Sequence, residues 1–259
     1  MTGQALRPEQ ARVAERVIAE EDQRREHLVV SLSGAHAYGF PSPDSDLDLK
    51  AVHIDPTRQL LGLGRPHVRA ERLEVLDGVE VDYSSNELQA VLIGILHGNG
   101  NFIERILGAI PLRSTPDLDV LRPIVRRSLS RKIHRHYRGF AAGQLEEWNK
   151  AGGRSAKKLL YVVRTTLTGT HALKGGTIVT DLTHLIDEYG FGEARELVDQ
   201  KRKGELAELR EESIERWRLR VGRTFELLDT AREDSQLPEE PPNPDELEDW
   251  LFGVRRQRF

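Results

Sequence analysis

Few features narrow the fold of this chain as much as the run Asp46-Leu47-Asp48-Leu49. Residues i and i+2 of a strand point to the same face of a sheet. The two leucines therefore face a core while the two carboxylates lie side by side on the opposite face. Neighbouring carboxylates repel, and a hard divalent cation bound through oxygen relieves that repulsion directly. A bland reading makes Asp44, Ser45 and Asp46 simple turn residues. It does not explain a second aspartate inside the strand that follows. The chain is thus expected to build a sheet that carries an acidic pair on an open face.

The surrounding pattern supplies such a sheet. Residues 8 to 26 read as an amphipathic helix with Val13, Val17, Ile18 and Ala19 on its apolar face and Pro8 near its start. Leu28, Val29, Val30 and Leu32 form a short apolar run stopped by Gly34, which predicts a buried strand. Residues 34–46 are rich in Gly, Pro, Ser and Asp and read as a loop or short helix. Residues 47–54 predict a second strand. Residues 71–85 predict two more, joined at the hairpin dipeptide Asp77-Gly78. From about Asn86 the apolar spacing becomes helical. Further helices are expected over 117–150, 154–173, 180–188 and 192–232. The Pro-rich acidic stretch 237–249 reads as an extended linker, and the last residues as a short docked helix or a frayed end.

The 259 residues are 38% hydrophobic and 31% charged, with a formal net charge of -4. That is enough for a sizeable core, and it excludes a uniformly basic nucleic-acid coat. With no cysteine, disulfides and thiolate metal sites are excluded. The charged first 27 residues lack a signal-peptide apolar stretch, and no run approaches the roughly 20 residues of a membrane span. A cytoplasmic protein without membrane contact is expected. Oligomeric state is left open.

A third carboxylate would complete a two-metal site. In 79–84, Val79, Val81 and Tyr83 share one face and Glu80 and Asp82 the other. Asp82 is the preferred ligand and Glu80 the reserve. Two ions roughly 3.5–4 Å apart can activate an attacking hydroxyl and stabilise a leaving pyrophosphate. Upstream, Gly34 ends a strand at a turn where backbone N–H groups can approach a triphosphate. Ser33 or Ser45 could add a hydroxyl, and His36 beside them a phosphate contact.

Gly34, the gap of twelve positions to Asp46, the Asp-Leu-Asp-Leu run and a later strand aspartate together resemble the signature of the DNA polymerase beta nucleotidyltransferase superfamily. More narrowly, residues 34–54, the Leu-Leu-Gly-Leu at 60–63, residues 97–107 and residues 157–176 are similar to the RNA-repair-associated polymerase-beta-like family. Gly34 is followed by Ala35 where the family usually carries Ser. The resemblance implies transfer of a nucleoside monophosphate from an NTP to an acceptor hydroxyl, with two Mg²⁺ (or Mn²⁺) ions held by Asp46, Asp48 and Asp82. It also implies an RNA end as acceptor. Rivals are a small-molecule or protein acceptor, or a catalytically silent nucleotide- or RNA-binding module.

The helical half offers cations. Lys157, Tyr161 and Arg164 share a helical face, with Lys158 beside them. They could clamp phosphates and stack a base, although a solvated stripe over Leu159, Leu160 and Val163 is the plain alternative. Arg127, Arg131 and Arg135 belong to the densest positive segment and could contact an RNA backbone. The alternative there is a charged face balanced by nearby acids. His171 and His184, alone among Leu and Thr, read as structural.

The expected fold is an α/β (α+β) nucleotidyltransferase core with a small mixed sheet, followed by an all-helical domain, with the active site in the cleft between them. The expected limits are 1–114 for the catalytic domain, 115–235 for the helical domain and 236–259 for the linker and tail.

Overall fold

The computed structural model describes residues 6–63, 68–108, 110–204 and 208–259. In chain order these form α1 (Pro8–Asp22), β1 (Glu26–Leu32), α2 (Gly34–Ala37), β2 (Leu47–Ile54), α3 (Thr57–Leu61), β3 (Arg69–Leu76), β4 (Val79–Glu87), α4 (Leu88–Leu96) and α5 (Gly100–Ile103). A π-helical turn, Glu104–Gly108, then leads to β5 (Ile110–Ser114) and α6 (Pro116–Arg127). The remaining helices are α7 (Ile133–Lys150), α8 (Ala156–Gly175), α9 (Leu182–Leu185), α10 (Ala194–Lys201), α11 (Glu211–Glu233) and α12 (Pro244–Gln257).

Two compact units result. The first holds the described residues of Met1–His36, Asp46–Ser128 and Pro241–Phe259. The second holds those of Ala37–Ser45 and Leu129–Glu240.

The first unit is built on a five-stranded mixed sheet in the order β3-β4-β2-β1-β5. β2 and β4 run parallel, and the other pairs are antiparallel. Val13, Ala14, Val17 and Ile18 of α1 cover one face and pack with Val30, Leu32, Leu47, Leu49, Val81 and Tyr83. The predicted hairpin is present: Asp77 at φ 51° and Gly78 at φ 79° supply the two positive φ values of a tight β3–β4 turn. The strand β5 was not expected. It is five residues long, half-buried and interrupted by Pro111, so it carries almost no alternating signal.

Residues 237–243 carry no helix or strand, and the chain then forms a docked helix from Pro244, the first of the two alternatives for the C-terminal residues. α12 docks on the first unit, with Arg255 ion-paired to Glu87 and donating to the Asp55 carbonyl at 3.0 Å. Arg258 reaches Glu26 at 2.6 Å and Asp117 at 2.8 Å.

The second unit centres on α8, which is buried along most of its length. α7 packs against it at Gly169, where a Cβ would come within 2.7 Å of Tyr137 Cβ. The helix expected over 117–150 is two helices, α6 and α7. The one expected over 192–232 is likewise two, α10 and α11, with Gly204 in the interruption. The segment 37–45, read in the sequence as part of a loop or short helix, belongs to this unit. Leu182 N donates to the Tyr38 carbonyl at 3.0 Å, and Arg202 Nη2 to the Gly39 carbonyl at 2.8 Å. Among the described residues, no helix is long and apolar enough to cross a membrane.

Candidate active site on the open face of the sheet

β2 is buried at Leu47, Leu49 and Ala51 and half-buried at Asp48 and Lys50, so the expected alternation is realised. Asp46 immediately precedes the strand and is half-buried too. The parallel register sets Asp48 opposite Asp82 and Lys50 opposite Ser84. The antiparallel register sets Ser31 opposite Lys50. Directly paired residues share a face. The face opposite α1 thus carries Asp48, Lys50, Asp82, Ser84 and Ser31.

Gly34 stands over this face. Its φ is +60°, and a Cβ added there would fall 1.8 Å from Asp48 Oδ2. The glycine is therefore required by close passage of the backbone over the Asp48 carboxylate. Ser33 lies beside it, and its amide continues the ladder to the Asp48 carbonyl at 2.9 Å. His36, on α2, is buried.

The sequence reading missed Lys50. Its ammonium lies 2.7 Å from Asp82 Oδ2 and 3.8 Å from Asp48 Oδ1. Asp82 is thereby engaged by a protein cation. Among the described residues, no cluster of three or more His, Asp or Glu side chains is placed to hold a metal ion. A signal was present in the sequence: Lys50 continues the i, i+2 series begun by Asp46 and Asp48. Asp48 fits a hard divalent ion, since it offers a partly solvated carboxylate beneath a cradle that any Cβ would fill, and Asp46, half-buried just before the strand, offers a second carboxylate two residues away. Asp82 fits only after Lys50 releases it. Glu80 lies one strand repeat from Asp82 on the same face and is exposed.

Other expected site residues fall in the second unit. Ser45 is buried and receives the Lys201 ammonium at 3.1 Å, while Ser42 receives it at 2.6 Å. Ser45 is thus part of a bracket that closes the 42–45 turn, and its hydroxyl is not turned to solvent for a phosphate. Arg164 does not share an exposed stripe with Lys157. It is 2% exposed and stacks 3.9 Å from the Tyr38 ring centroid, which fixes it as a core residue holding the 37–45 segment. Lys157, Lys158 and Tyr161 do come together, along a cavity of about 720 Å³ between α7 and α8.

The basic segment is largely neutralised within the protein. Arg127 pairs with Glu246, and Arg131 pairs with Glu239 at 2.8 Å while donating to the carbonyls of Ser235 and Leu237. His134 and Arg138 share Asp229, whose carboxyl is held below its ordinary range by these two partners against the opposing effect of burial. Arg135 is exposed. Arg127 lies in the first unit and Arg131 and Arg135 in the second. His171 contacts Glu188 and the Tyr189 hydroxyl, consistent with a structural role.

The chain matches a family profile, a curated relative and solved structures. The sequence profile described as the RNA repair pathway DNA polymerase beta family matches residues 10–253. An uncharacterized protein of Methanocaldococcus jannaschii is 28% identical over 219 residues, covering 83% of this chain and 88% of that protein. A solved nucleotidyltransferase-like protein from Exiguobacterium sibiricum 255-15 aligns with 96% of this chain and 80% of its own, at 13% identity and a TM-score of 0.35.

Proposed function

Because the chain belongs to the RNA repair pathway DNA polymerase beta family, we propose that it transfers a nucleoside monophosphate from an NTP to the terminal hydroxyl of an RNA. The observation that carries this reading is Asp48 on the open sheet face, two residues after Asp46, with Gly34 reduced to a bare backbone above the Asp48 carboxylate. Asp46 and Asp48 would hold Mg²⁺ or Mn²⁺, which when bound supplies Lewis-acid polarisation of the α-phosphate. The acceptor oxygen forms a bond to the α-phosphorus as the bond to the β-phosphate bridging oxygen breaks, and pyrophosphate leaves. The hydroxyl proton passes to Asp82, whose carboxylate must first part from Lys50. Lys50, released, remains on the same face as a positive charge for the triphosphate.

The assay is magnesium-dependent pyrophosphate release from each of the four NTPs, with an RNA oligonucleotide, an aminoglycoside and a protein pool as alternative acceptors. Removing several kcal/mol of transition-state stabilisation costs about tenfold in rate per 1.4 kcal/mol. Asp48→Asn is therefore expected to lower turnover by about 10³-fold with little change in Tm. Undiminished turnover in that variant refutes the assignment. A second reading, binding without turnover, is favoured by the Lys50–Asp82 pair. NTP binding with no pyrophosphate from the intact protein would establish it instead.

A further inference from the structure

The cavity between α7 and α8 contains two glycines whose presence the helix packing does not explain. Gly139 and Gly143 are one helical repeat apart on α7, and a Cβ added to either meets nothing within 4 Å. Glycine in a helix interior costs about 1 kcal/mol relative to alanine. At Gly169 that cost has a packing reason, because Tyr137 leaves no room for a Cβ. At Gly139 and Gly143 the space above the helix is open, and it is the floor of the cavity.

The lining has the character of a site for a flat ring. Phe140, 43% exposed, stands on the α7 side with the His136 ring stacked on it at 5.8 Å and 11°. Tyr161 stands on the α8 side, its ring held edge-on by Tyr38 at 5.6 Å and by Phe40 at 5.8 Å. Gln144 lies between. Thr165 Oγ1 donates to its Oε1 at 2.9 Å, which orients the carboxamide so that the Nε2 donors are left for the cavity. Lys157 and Lys158 bring cationic groups to the lining, which also carries Glu146 and Glu147, the latter 3.9 Å from the Lys158 ammonium. A volume of about 720 Å³ is in the range of small-ligand sites. An aromatic ring face, an oriented amide donor and nearby ammonium groups together match a nucleobase that carries phosphate.

We propose that this cavity binds the nucleobase of a nucleotide, with Gly139 and Gly143 as its floor and Gln144 donating to an acceptor on the base edge. The proposal rests on the nucleotide reading given above. A free mononucleotide and the terminal nucleotide of an RNA share this chemistry.

The test is calorimetric titration of the full chain without divalent metal, first with AMP, GMP, CMP and UMP, then with a short single-stranded oligoribonucleotide. At least one ligand is expected to bind. Gly143→Leu, whose Cβ meets nothing within 4 Å and whose side chain would occupy the cavity, is expected to weaken binding tenfold or more at unchanged or higher Tm. Gln144→Leu is expected to weaken binding severalfold and to alter the ranking of the bases. Binding of the oligonucleotide alone identifies the RNA terminus as the source, and binding of mononucleotides identifies the NTP. No binding of any ligand at millimolar concentration overturns the proposal. So does equal binding by a folded Gly143→Leu variant. Because metal-free binding does not require turnover, an inactive Asp48→Asn protein that still binds separates failure of the transfer reading from failure of this one.

Discussion

The Lys50 ammonium sits 2.7 Å from Asp82 Oδ2 and 3.8 Å from Asp48 Oδ1, so the open face of the sheet carries its own counter-cation. A divalent ion approaching Asp48 and Asp82 meets that ammonium first. Lys50→Met is expected to raise Mn²⁺ affinity by about tenfold, equivalent to about 1.4 kcal/mol. Asp82 is 42% exposed, so the accompanying loss of stability should stay within about 1 kcal/mol. Manganese titration by calorimetry or electron paramagnetic resonance checks this. An unchanged affinity would show that the lysine does not compete for the carboxylates.

Gly34 couples the backbone to the same carboxylate. In Gly34→Ala the methyl group must displace Asp48 Oδ2, and φ +60° adds about 1–2 kcal/mol of strain. The variant is expected to unfold at lower urea concentration and to lose metal binding as well. Gly78→Ala is the control, since it has a positive φ but nothing within 4 Å of the added Cβ. It should lose stability without losing metal affinity.

The ion pair of Glu87 and Arg255 is 5% and 11% exposed on the two side chains. Glu87 also caps α4 by accepting from Gln89 N at 2.7 Å. Removing one member of a buried pair strands the other, at a cost of about 3–5 kcal/mol. Arg255→Met should therefore destabilise the protein by that order. The double variant Glu87→Gln/Arg255→Met should recover part of the loss. A double variant worse than the sum of the two singles would contradict this account in chemical denaturation.

His27 links stability to pH. Burial pushes its pKa below the ordinary 6.5, against the opposing pull of a hydrogen bond from Nδ1 to Asp22 at 2.6 Å. Its Nε2 accepts from the Tyr83 hydroxyl at 2.7 Å. Between the folded and unfolded pKa values, the unfolded chain binds more protons. Stability therefore rises with pH through that window and falls as pH drops from about 6.5 toward the lower folded value. A His27→Gln protein should lack this component. Subtracting its stability–pH curve from that of the parent isolates it, and a flat difference between pH 4 and 7 would refute the assignment.

Much of the first unit was legible because its signals are local. The alternation in β2, the Asp77-Gly78 turn and the apolar face of α1 each lie within a few residues. Lys50 was legible in principle, since it follows the same two-residue period as the aspartates. Its partner in β4 was not, because register between strands 32 positions apart depends on long-range pairing. Arg164 and Ser45 were misassigned for a related reason. Both types of residue suit a phosphate site, but one lies under Tyr38 and the other against Lys201, and neither partner is near in sequence. The acids that balance the basic segment 126–138 could not be identified from the sequence, because Asp229, Glu239 and Glu246 come from far along the chain. β5 was hidden by Pro111 and by its brevity.

The division of the chain into units has a practical corollary. The boundaries fall after His36, Ser45, Ser128 and Glu240, so the polypeptide passes from one unit to the other four times. No single cut yields either unit whole. Stopping after Ser128 discards α12, and with it the guanidinium that compensates Glu87. Excising 129–240 leaves Arg164 without the ring of Tyr38. Truncation libraries should therefore yield insoluble fragments at every boundary. Dissection of this protein calls for circular permutation, or for co-expression of complementary pieces.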